Sequence, residues 1–402
     1  MPDLTVFDFR SSFAARARRR RRMALIATSM GLALLLGGGA SAAGETPLRE
    51  VVAKKKVALE QPEARQPVTI ETRTTAESRS GVRRLQIGDY QYLSDSDRGY
   101  AGYDLGAGSW DTFAAVAASA VANEYVLQAA AQNIPLDSVD VIFTSRPDSP
   151  EVAKTRTVSY PRNLAYVAYL DSPATDAQLE ALRQAVERNS PVLDIIREGK
   201  PLDHGAIHLT ASPAQLDPNL PPGLRDFLVE KRQAILRRQQ RQKELAAQPQ
   251  ANRPQPTGLR AHAVVEPATG VRNTRTGGRN FQIVHDGRAG PLGHGLAPSA
   301  EDHQIGVLGT CLTHIFEIEA AKAQVPLDAL EVRTKATLTP RGGATPPRFQ
   351  DISYSVHVQS PAPAPVIEKL RNAVEGSCPI YNLLKDSQPI DGRIVRGRYA
   401  GQ

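Results

Sequence analysis

Cysteine and tryptophan are scarce in this chain. Only two cysteines and one tryptophan occur among 402 residues, which excludes both a disulfide-stabilised scaffold and a four-cysteine zinc ribbon. With 41% hydrophobic and 23% charged residues, the composition fits neither a disordered chain nor a multi-span membrane protein. The length favours two or three domains.

Excess positive charge is also missing from most of the chain. The formal net charge is +7, but residues 1–43 hold seven arginines and two aspartates, which account for +5 of it. The rest of the chain therefore carries a net charge of only +2. So small a charge on a body of this size gives no electrostatic reason to expect nucleic-acid binding.

Residues 1–43 have the order of a secretory signal. A basic stretch (ARARRRRR, residues 15–22) precedes an apolar run from Met23 to Leu36 and a small-residue string, Ala40–Ala43. We predict a signal peptide cleaved after Ala42 or Ala43 and a body that works outside the cytoplasm, in a bacterial periplasm. After cleavage no membrane span is expected.

Two alternatives for this leader stay open. The whole run from Met23 to Ala43 is about long enough to cross a bilayer, so an uncleaved single-span anchor is the competing interpretation. Arg21 and Arg22 followed by apolar residues also resemble a twin-arginine export signal, but an arginine-rich leader contains such a pair by chance.

Four segments recur at similar spacing, which predicts two copies of one domain. Their order is the same in both copies, and the offset drifts only from 196 to 188 residues, as small insertions and deletions produce. The predicted copies are 64–210 and 258–402, with a flexible segment at 44–63 and a linker with a helix at 211–257. The matched pairs are Arg83–Ile87 with Arg279–Ile283, Ala129–Asp137 with Ala320–Asp328, Ser190–Ile196 with Cys378–Leu384, and Pro201–Asp203 with Pro389–Asp391.

Each copy shows the same alternation of strand and helix patterns. Two strands lead through a Gly-rich turn to a long helix, and two alternating strands, two further helices and a closing strand follow. Strands on one side and helices on the other predict an α+β fold. The second strands are expected at Arg84–Tyr92 and Asn280–His285, and the long helices at Asp111–Gln132 and Glu301–Gln324.

The segment between the copies contains a strong helix pattern. Residues Leu224–Ala247 combine high helix propensity with a narrow apolar stripe. We interpret this segment as a connecting helix that lies on one copy. A calmodulin-like or nucleic-acid-binding arm is an alternative with little support from the sequence.

Both cysteines lie in the second copy. Cys311 falls inside the long helix and Cys378 at the start of a short one. The spacing allows a structural disulfide, a redox pair or two buried thiols, and export favours a disulfide of some kind.

The second copy carries motifs that resemble one known family. Pro298-Ser-Ala-Glu301, Cys311-Leu-Thr-His314, Pro326-Leu-Asp and Ser377-Cys-Pro379, at their spacing, look like the OsmC/Ohr family, the osmotically inducible protein C and organic hydroperoxide resistance proteins. The resemblance covers 258–398 well and 64–210 as a degenerate copy. It implies a swapped α+β dimer with sites at the interface. Here two copies in tandem would form an intrachain pseudo-dimer with the long helices paired at its centre, in a monomeric protein.

The resemblance also implies a reaction. Members are thiol peroxidases that reduce organic hydroperoxides and are regenerated by an external dithiol. On this sequence Cys311 matches the peroxidatic cysteine, Cys378 the resolving cysteine and Glu301 the family's glutamate. Arg279, after Gly277-Gly278, resembles an arginine of one branch. No cofactor or metal is implied, and His303, His314 and Cys311 lack the partners for a tetrahedral metal site.

The thiolate that such chemistry needs requires a nearby cation, because Cys311 sits too far along its helix for the dipole to help. Arg279 is one source, and Arg83, at the matched position of the first copy, is the other. In the first copy Ala120 stands in place of Cys311, Ser190 in place of Cys378 and Trp110 in place of Glu301. One chain should therefore carry one site.

A second function class remains open on the sequence. The protein could be a non-enzymatic binding or structural protein in which Cys311 and Cys378 form an inert disulfide. Glu301 would then be an ordinary carboxylate in the first turn of a helix, and Arg279 a solvated charge at a strand edge.

Overall fold

The structure, a computed structural model, describes residues 46–149, 152–153, 155, 157–249, 257–278, 280–341 and 345–401. The expected leader and Arg279 therefore lie outside the described residues. Within those ranges, no helix combines the length and the apolar character that crossing a bilayer requires.

The described residues form a mixed α+β fold. The helices are α1 (Pro47–Glu60), α2 (Ser109–Gln132), α3 (Asp176–Asn189), α4 (Pro191–Glu198), α5 (Leu224–Ala247), α6 (Ala300–Ala323), α7 (Ala364–Ser377) and α8 (Pro379–Lys385). The strands are β1 (Val68–Ala76), β2 (Arg83–Ile87), β3 (Tyr90–Ser94), β4 (Ser138–Thr144), β5 (Leu164–Asp171), β6 (Ala206–Ala211), β7 (Arg260–Val265), β8 (Arg272–Thr276), β9 (Gln282–His285), β10 (Ala329–Leu338), β11 (Phe349–Ser360) and β12 (Ile390–Arg396).

The two longest buried helices, α2 and α6, lie against each other. The Ser109 hydroxyl of α2 and the Thr310 hydroxyl of α6 are 3.1 Å apart and buried. Both helices are buried on almost every side, which explains why their sequences are apolar or small-residue-rich all round rather than on one stripe. Each ends at a residue in the left-handed region, Asn133 (φ +56°) and Gln324 (φ +57°), as helix C-termini commonly do.

Each of the two six-stranded sheets takes strands from both halves of the chain. One sheet has the order β3-β2-β1-β10-β11-β6 and the other the order β9-β8-β7-β4-β5-β12. Corresponding neighbours pair in the same sense, antiparallel except for the parallel pairs β11–β6 and β5–β12. Neither half of the chain thus has a complete sheet of its own.

The expected strand Arg84–Tyr92 is two strands. Gly88 has a φ of +55°, which glycine adopts without strain, and the register Ile87 opposite Tyr90 leaves a two-residue turn between β2 and β3. The single apolar pattern concealed this turn because the alternation continues on both sides of it.

The predicted second copy also contains a strand that the sequence pattern did not predict. Strand β8 pairs with β7 so that Arg272 lies opposite Val265, just as Arg83 lies opposite Ala76 in the other sheet. In sheet position the counterpart of Arg83 is therefore Arg272, and the sequence match of Arg83 with Arg279 is wrong. The mistaken match followed the shared letters Arg, Gln and Ile rather than the strand register.

The segment 44–63, expected to be flexible, contains helix α1. Proline at its first position suits a helix start, and its buried residues recur every three or four positions, which gives one face to pack on the core. Arg49 fixes this face with two hydrogen bonds of 2.8 Å to the Asp137 carboxylate. The buried residues are Leu48, Val51, Val52, Lys55 and Ala58.

Helix α5 confirms the helix expected at Leu224–Ala247 and repeats the pattern of α1. Arg225 of α5 binds the Asp328 carboxylate at 2.9 and 2.7 Å, as Arg49 of α1 binds Asp137. The sequences Leu-Arg-Glu and Leu-Arg-Asp open the two helices, and a buried lysine follows six residues after each arginine. The helix is thus packed into the fold and is more than a connection between two copies. Its buried residues are Leu224, Phe227, Leu228, Lys231, Ala234 and Ile235.

Candidate functional site

The two sulfur atoms lie together in the interior. Cys311 is in the middle of α6, and Cys378 is the single residue between α7 and α8. The Cys378 thiol donates to the Cys311 sulfur at 3.3 Å, and both cysteines are free and buried, with 2% and 0% of their surface exposed. The corner between α7 and α8 arises because Pro379 cannot continue α7.

The surroundings separate the pKa values of the two thiols. Burial raises the pKa of Cys311, but four stabilising contributions to the charged form outweigh it and lower this pKa overall. These contributions are the Cys378 thiol, the Ile380 backbone N–H, the positive charge of Arg83 and the Ser109 hydroxyl. The pKa of Cys378 is raised, first by burial and then by Cys311. The pair therefore favours a thiolate at Cys311 and a protonated thiol at Cys378.

Arg83 reaches this site from β2, in the first half of the chain. Its guanidinium is buried, and Nη1 donates to the Gly81 carbonyl at 2.6 Å and to the Ser96 hydroxyl at 3.0 Å. The same nitrogen lies 3.3 Å from His314 Nδ1 and 3.5 Å from the Glu317 carboxylate. A cation in so many contacts is held in one orientation, next to the helix that carries Cys311.

Lys231 of α5 completes a buried charge cluster with Arg83, His314 and Glu317. Its ammonium group lies 2.5 Å from the Glu317 carboxylate, and both side chains are fully buried. Burial raises the pKa of Glu317, but Lys231, His314 and Arg83 together lower it to about 2, so the carboxylate stays ionised. Burial and the two cations lower the pKa of His314 to about 3, and this imidazole is neutral at neutral pH.

Sequence reasoning missed Lys231 and Glu317. The available signal was the position of Lys231 on the apolar stripe of α5, between Phe227 and Ile235. A lysine on a buried face needs an anionic partner, and Glu317 is the carboxylate that this reasoning would have sought.

Glu301 is not part of this cluster. It lies ten residues before Cys311 on α6, about 15 Å along the helix axis. Its carboxylate faces Arg341 at 3.5 Å, and Arg341 also binds Glu124 at 2.9 Å. Of the predicted site residues, the structure therefore brings Cys311, Cys378 and Arg83 into one neighbourhood and places Glu301 elsewhere. Arg279 lies outside the described residues.

Glu301 belongs instead to the neighbourhood of Ala120, the residue of α2 that the sequence match pairs with Cys311. Here Arg272 takes the place of Arg83, with Nη1 donating to the Gly270 carbonyl at 3.2 Å and Nε to the Ser119 hydroxyl at 3.5 Å. Among the described residues no carboxylate lies within ion-pair distance of Arg272, and its Nη2 has no partner. Burial lowers the pKa of Arg272 to about 10. This neighbourhood keeps the cation but has no sulfur.

A cavity of about 260 Å³ lies beside this second neighbourhood. Asn123 and Leu127 of α2 form one wall, and Glu301 and Arg341 give it a charged end. Leu292 and the neighbouring loop residues form another wall.

The histidines expected not to form a metal site are split between two neighbourhoods. His303 Nδ1 lies 3.0 Å from His285 Nε2, whereas His314 contacts Arg83. Among the residues that the structure describes, no group of three or more His, Cys, Asp or Glu side chains is arranged to hold a metal ion.

Comparison with known proteins gives the family of the cysteine-bearing segment. The family model described as "OsmC-like protein" matches residues 293–392. The chain carries an OsmC-like domain. This match includes Cys311 and Cys378 but stops short of Arg83 and Lys231, so the OsmC-like domain draws half of its charge cluster from residues that precede it.

Other comparisons add little to the OsmC-like assignment. No curated protein matches the chain. A crystal structure of a protein named for osmotic stress induction and a detoxification response, from Psychrobacter arcticus 273-4, is 16% identical over 32% of this chain and 88% of that one, with a TM-score of 0.25.

Proposed function

We propose that the protein is an exported thiol peroxidase that reduces organic hydroperoxides through Cys311 and Cys378. The observation that supports this proposal best is the 3.3 Å contact in which the Cys378 thiol donates to Cys311. Together with the lowered pKa of Cys311 and the raised pKa of Cys378, this contact gives each sulfur a different role. The OsmC-like match over both cysteines favours a role in stress or peroxide chemistry.

The reaction runs in three balanced steps. The Cys311 thiolate attacks the terminal oxygen of the hydroperoxide, the O–O bond breaks, and the leaving alkoxide takes a proton to become the alcohol, which leaves Cys311 as a sulfenic acid. The Cys378 sulfur then attacks the Cys311 sulfur, and water leaves as the disulfide forms. An external dithiol finally reduces the disulfide through a mixed disulfide and is itself oxidised.

Arg83 is the cation that we assign to the Cys311 thiolate. Its buried guanidinium lowers the pKa of Cys311, and its contacts with Ser96 and Gly81 hold it in place. Glu301 has no role in this scheme because it pairs with Arg341, and Arg279 is not needed for it.

We also propose that the chain is a tandem repeat that acts as an intrachain pseudo-dimer and needs no second chain. The matching strand orders of the two sheets and the matching patterns of α1 and α5 support this. They also suggest that each repeat begins at its amphipathic helix, near residues 46 and 223, rather than at 64 and 258. Residues 1–43 would act as the export signal, which would place the enzyme in the periplasm.

Peroxide consumption tests the proposal directly. Mature protein is mixed with cumene hydroperoxide and dithiothreitol, and hydroperoxide loss is followed over many turnovers. Cys311→Ser should abolish turnover. Cys378→Ser, reduced and then assayed without dithiothreitol, should show one oxidation event per chain and a sulfenic acid that a dimedone probe traps. Ser190→Ala, at the counterpart of Cys378, is the matched control and should leave the rate unchanged.

A non-enzymatic binding or structural protein is the second candidate, favoured by the near-complete burial of both sulfurs. In that case the wild type would consume no hydroperoxide, and Cys311→Ser would only lower the melting temperature. That pair of results would overturn the peroxidase proposal.

A further inference from the structure

Two loops of the same construction border the two neighbourhoods. Asp95 accepts backbone hydrogen bonds of 3.0 Å from the residues eight and ten positions later, Tyr103 and Leu105. Asp286 accepts the corresponding bonds, 3.0 and 3.1 Å, from the residues at the same spacing after it. Because the anchors and spacings agree, Tyr100 and Pro291, each five residues after its aspartate, occupy equivalent places.

Tyr100 closes the first of these places. Its ring packs edge-on against His314, with centroids 5.5 Å apart, and His314 is one helical turn from Cys311. The Arg238 guanidinium lies 4.6 Å from the centroid of the Tyr100 ring, and Arg238 also approaches Asp97 at 3.9 Å. The half-buried Tyr100 is thus held between the site and a surface arginine.

The second place is open. Pro291 cannot fill the volume of a tyrosine ring, and it lines the 260 Å³ cavity together with Asn123, the counterpart of His314. The two amphipathic helices, α5 and α1, also differ in length. Helix α5 extends past Lys231 to Arg238, seven residues later. Helix α1 ends at Glu60, only five residues after Lys55, so it has no residue at the position that corresponds to Arg238. The cavity beside Pro291 therefore marks the space that remains open when neither a tyrosine nor an arginine fills it.

We propose that Tyr100, held by Arg238, is a gate that controls access to Cys311 and limits the size of the organic hydroperoxide that enters. The proposal rests on the proposed function for its substrate, but access to the sulfur is measured without any peroxide. In the closed state both sulfurs are buried, so a hydroperoxide reaches Cys311 only after the gate has opened.

The loop that carries Tyr100 contains two residues in the left-handed backbone region. Ala101 and Asp104 have φ values of +59° each, an uncommon conformation for residues other than glycine. A segment under this local strain is a suitable place for a conformational change.

Alkylation of Cys311 tests the gate. In a Cys378→Ser background Cys311 is the only thiol of the chain, and its reaction with small iodoacetamide and with bulky monobromobimane is timed at one pH. Tyr100→Ala removes both ring contacts and should speed the bimane reaction about ten- to hundredfold, with a smaller gain for iodoacetamide. Arg238→Met should give a gain of the same kind but smaller.

Pro291→Ala is the matched control and should leave both alkylation rates unchanged. Thermal melting of each variant separates a gate effect from general loosening, because loosening would speed both reagents equally. Unchanged bimane kinetics in a folded Tyr100→Ala protein would overturn the gate. If alkylation responds as expected but no variant consumes hydroperoxide, the gate stands and the peroxidase proposal fails.

Discussion

The neighbourhoods of Cys311 and Ala120 share a framework and differ in what fills it. Each has a buried arginine at the start of a strand, a lysine on an amphipathic helix and a loop anchored on an aspartate. Around Cys311, Arg83 and Lys231 both contact Glu317. Around Ala120, no carboxylate of the described residues lies within ion-pair distance of Arg272, and a cavity lies beside it. The side chains that differ are Cys311 and Ala120, Cys378 and Ser190, His314 and Asn123, Glu317 and Val126, and Tyr100 and Pro291.

This difference shows how few residues separate the cysteine-bearing neighbourhood from the one without sulfur. Glu317 compensates two buried cations, whereas Val126 cannot. Burial lowers the pKa of Lys55 to about 8 and that of Arg272 to about 10, and it also lowers the pKa of Lys231, which Glu317 raises in part, because burying a charge is costly. Glu317 partly offsets the cost of burial for Lys231 and Arg83, whereas no carboxylate among the described residues lies within ion-pair distance of Lys55 or Arg272.

The largest expected effect concerns the two lysines. Lys231→Met leaves the buried Glu317 carboxylate without its nearest partner and should lower the free energy of unfolding by about 3 kcal/mol. Lys55→Met loses a hydrogen bond to the Leu292 carbonyl and the longer-range attraction of Asp286 and should cost about 1 kcal/mol or less. Urea unfolding at pH 7 measures both. Equal losses would mean that the pairing with Glu317 contributes nothing special.

A smaller effect is expected from the two arginines, and it appears in the reactivity of Cys311. Arg83→Met removes a positive charge that lowers the pKa of Cys311, so this pKa should rise and the thiolate fraction at neutral pH should fall. A rise of about one unit would slow alkylation about tenfold at pH values well below the original pKa. The pH profile of iodoacetamide reaction in the Cys378→Ser background measures the shift.

Arg272→Met is the control for that experiment. Arg272 contacts Ser119 on the sulfur-free side, so its loss should leave the pH profile of Cys311 in place. A shift of similar size in both variants would show that the profile reports general destabilisation rather than the local charge of Arg83.

The smallest effect is predicted for Glu301. Glu301→Gln weakens the contact with Arg341 but leaves Cys311, Cys378 and Arg83 untouched, so peroxide turnover should change by less than about threefold, or under 1 kcal/mol. Steady-state assays at several hydroperoxide concentrations measure this. A large loss in kcat would place Glu301 back in the chemistry and undo the separation of the two neighbourhoods.

The sequence predicted the elements with strong local patterns. The long helices at Asp111–Gln132 and Glu301–Gln324 agree with α2 and α6 to within two residues at each end, because their apolar composition and the prolines after them are local signals. The proximity of Cys311 and Cys378 followed from the family resemblance rather than from spacing.

Other features depend on contacts that local patterns do not contain. Helix α1 is rich in lysine, and only its packing and the Arg49–Asp137 pair explain its stability. The place of Glu301 depends on Arg341 and Glu124, which come from different parts of the chain. The register of strand β8 identified Arg272, and not Arg279, as the residue that corresponds to Arg83 in sheet position. Register is set by pairing across the sheet, which a local sequence pattern does not contain.

The shared sheets also set the order in which the chain can fold. Strand β1 pairs with β10, more than 250 residues later, and β5 pairs with β12, at the far end of the chain. Such non-local pairings form slowly, because the entropy of closing a long loop is lost before the strand contacts that compensate for it can form. One sheet lacks an inner strand until β11 has been synthesised, and the other lacks an edge strand until β12 has been synthesised. The nascent protein therefore remains incomplete until synthesis is almost finished.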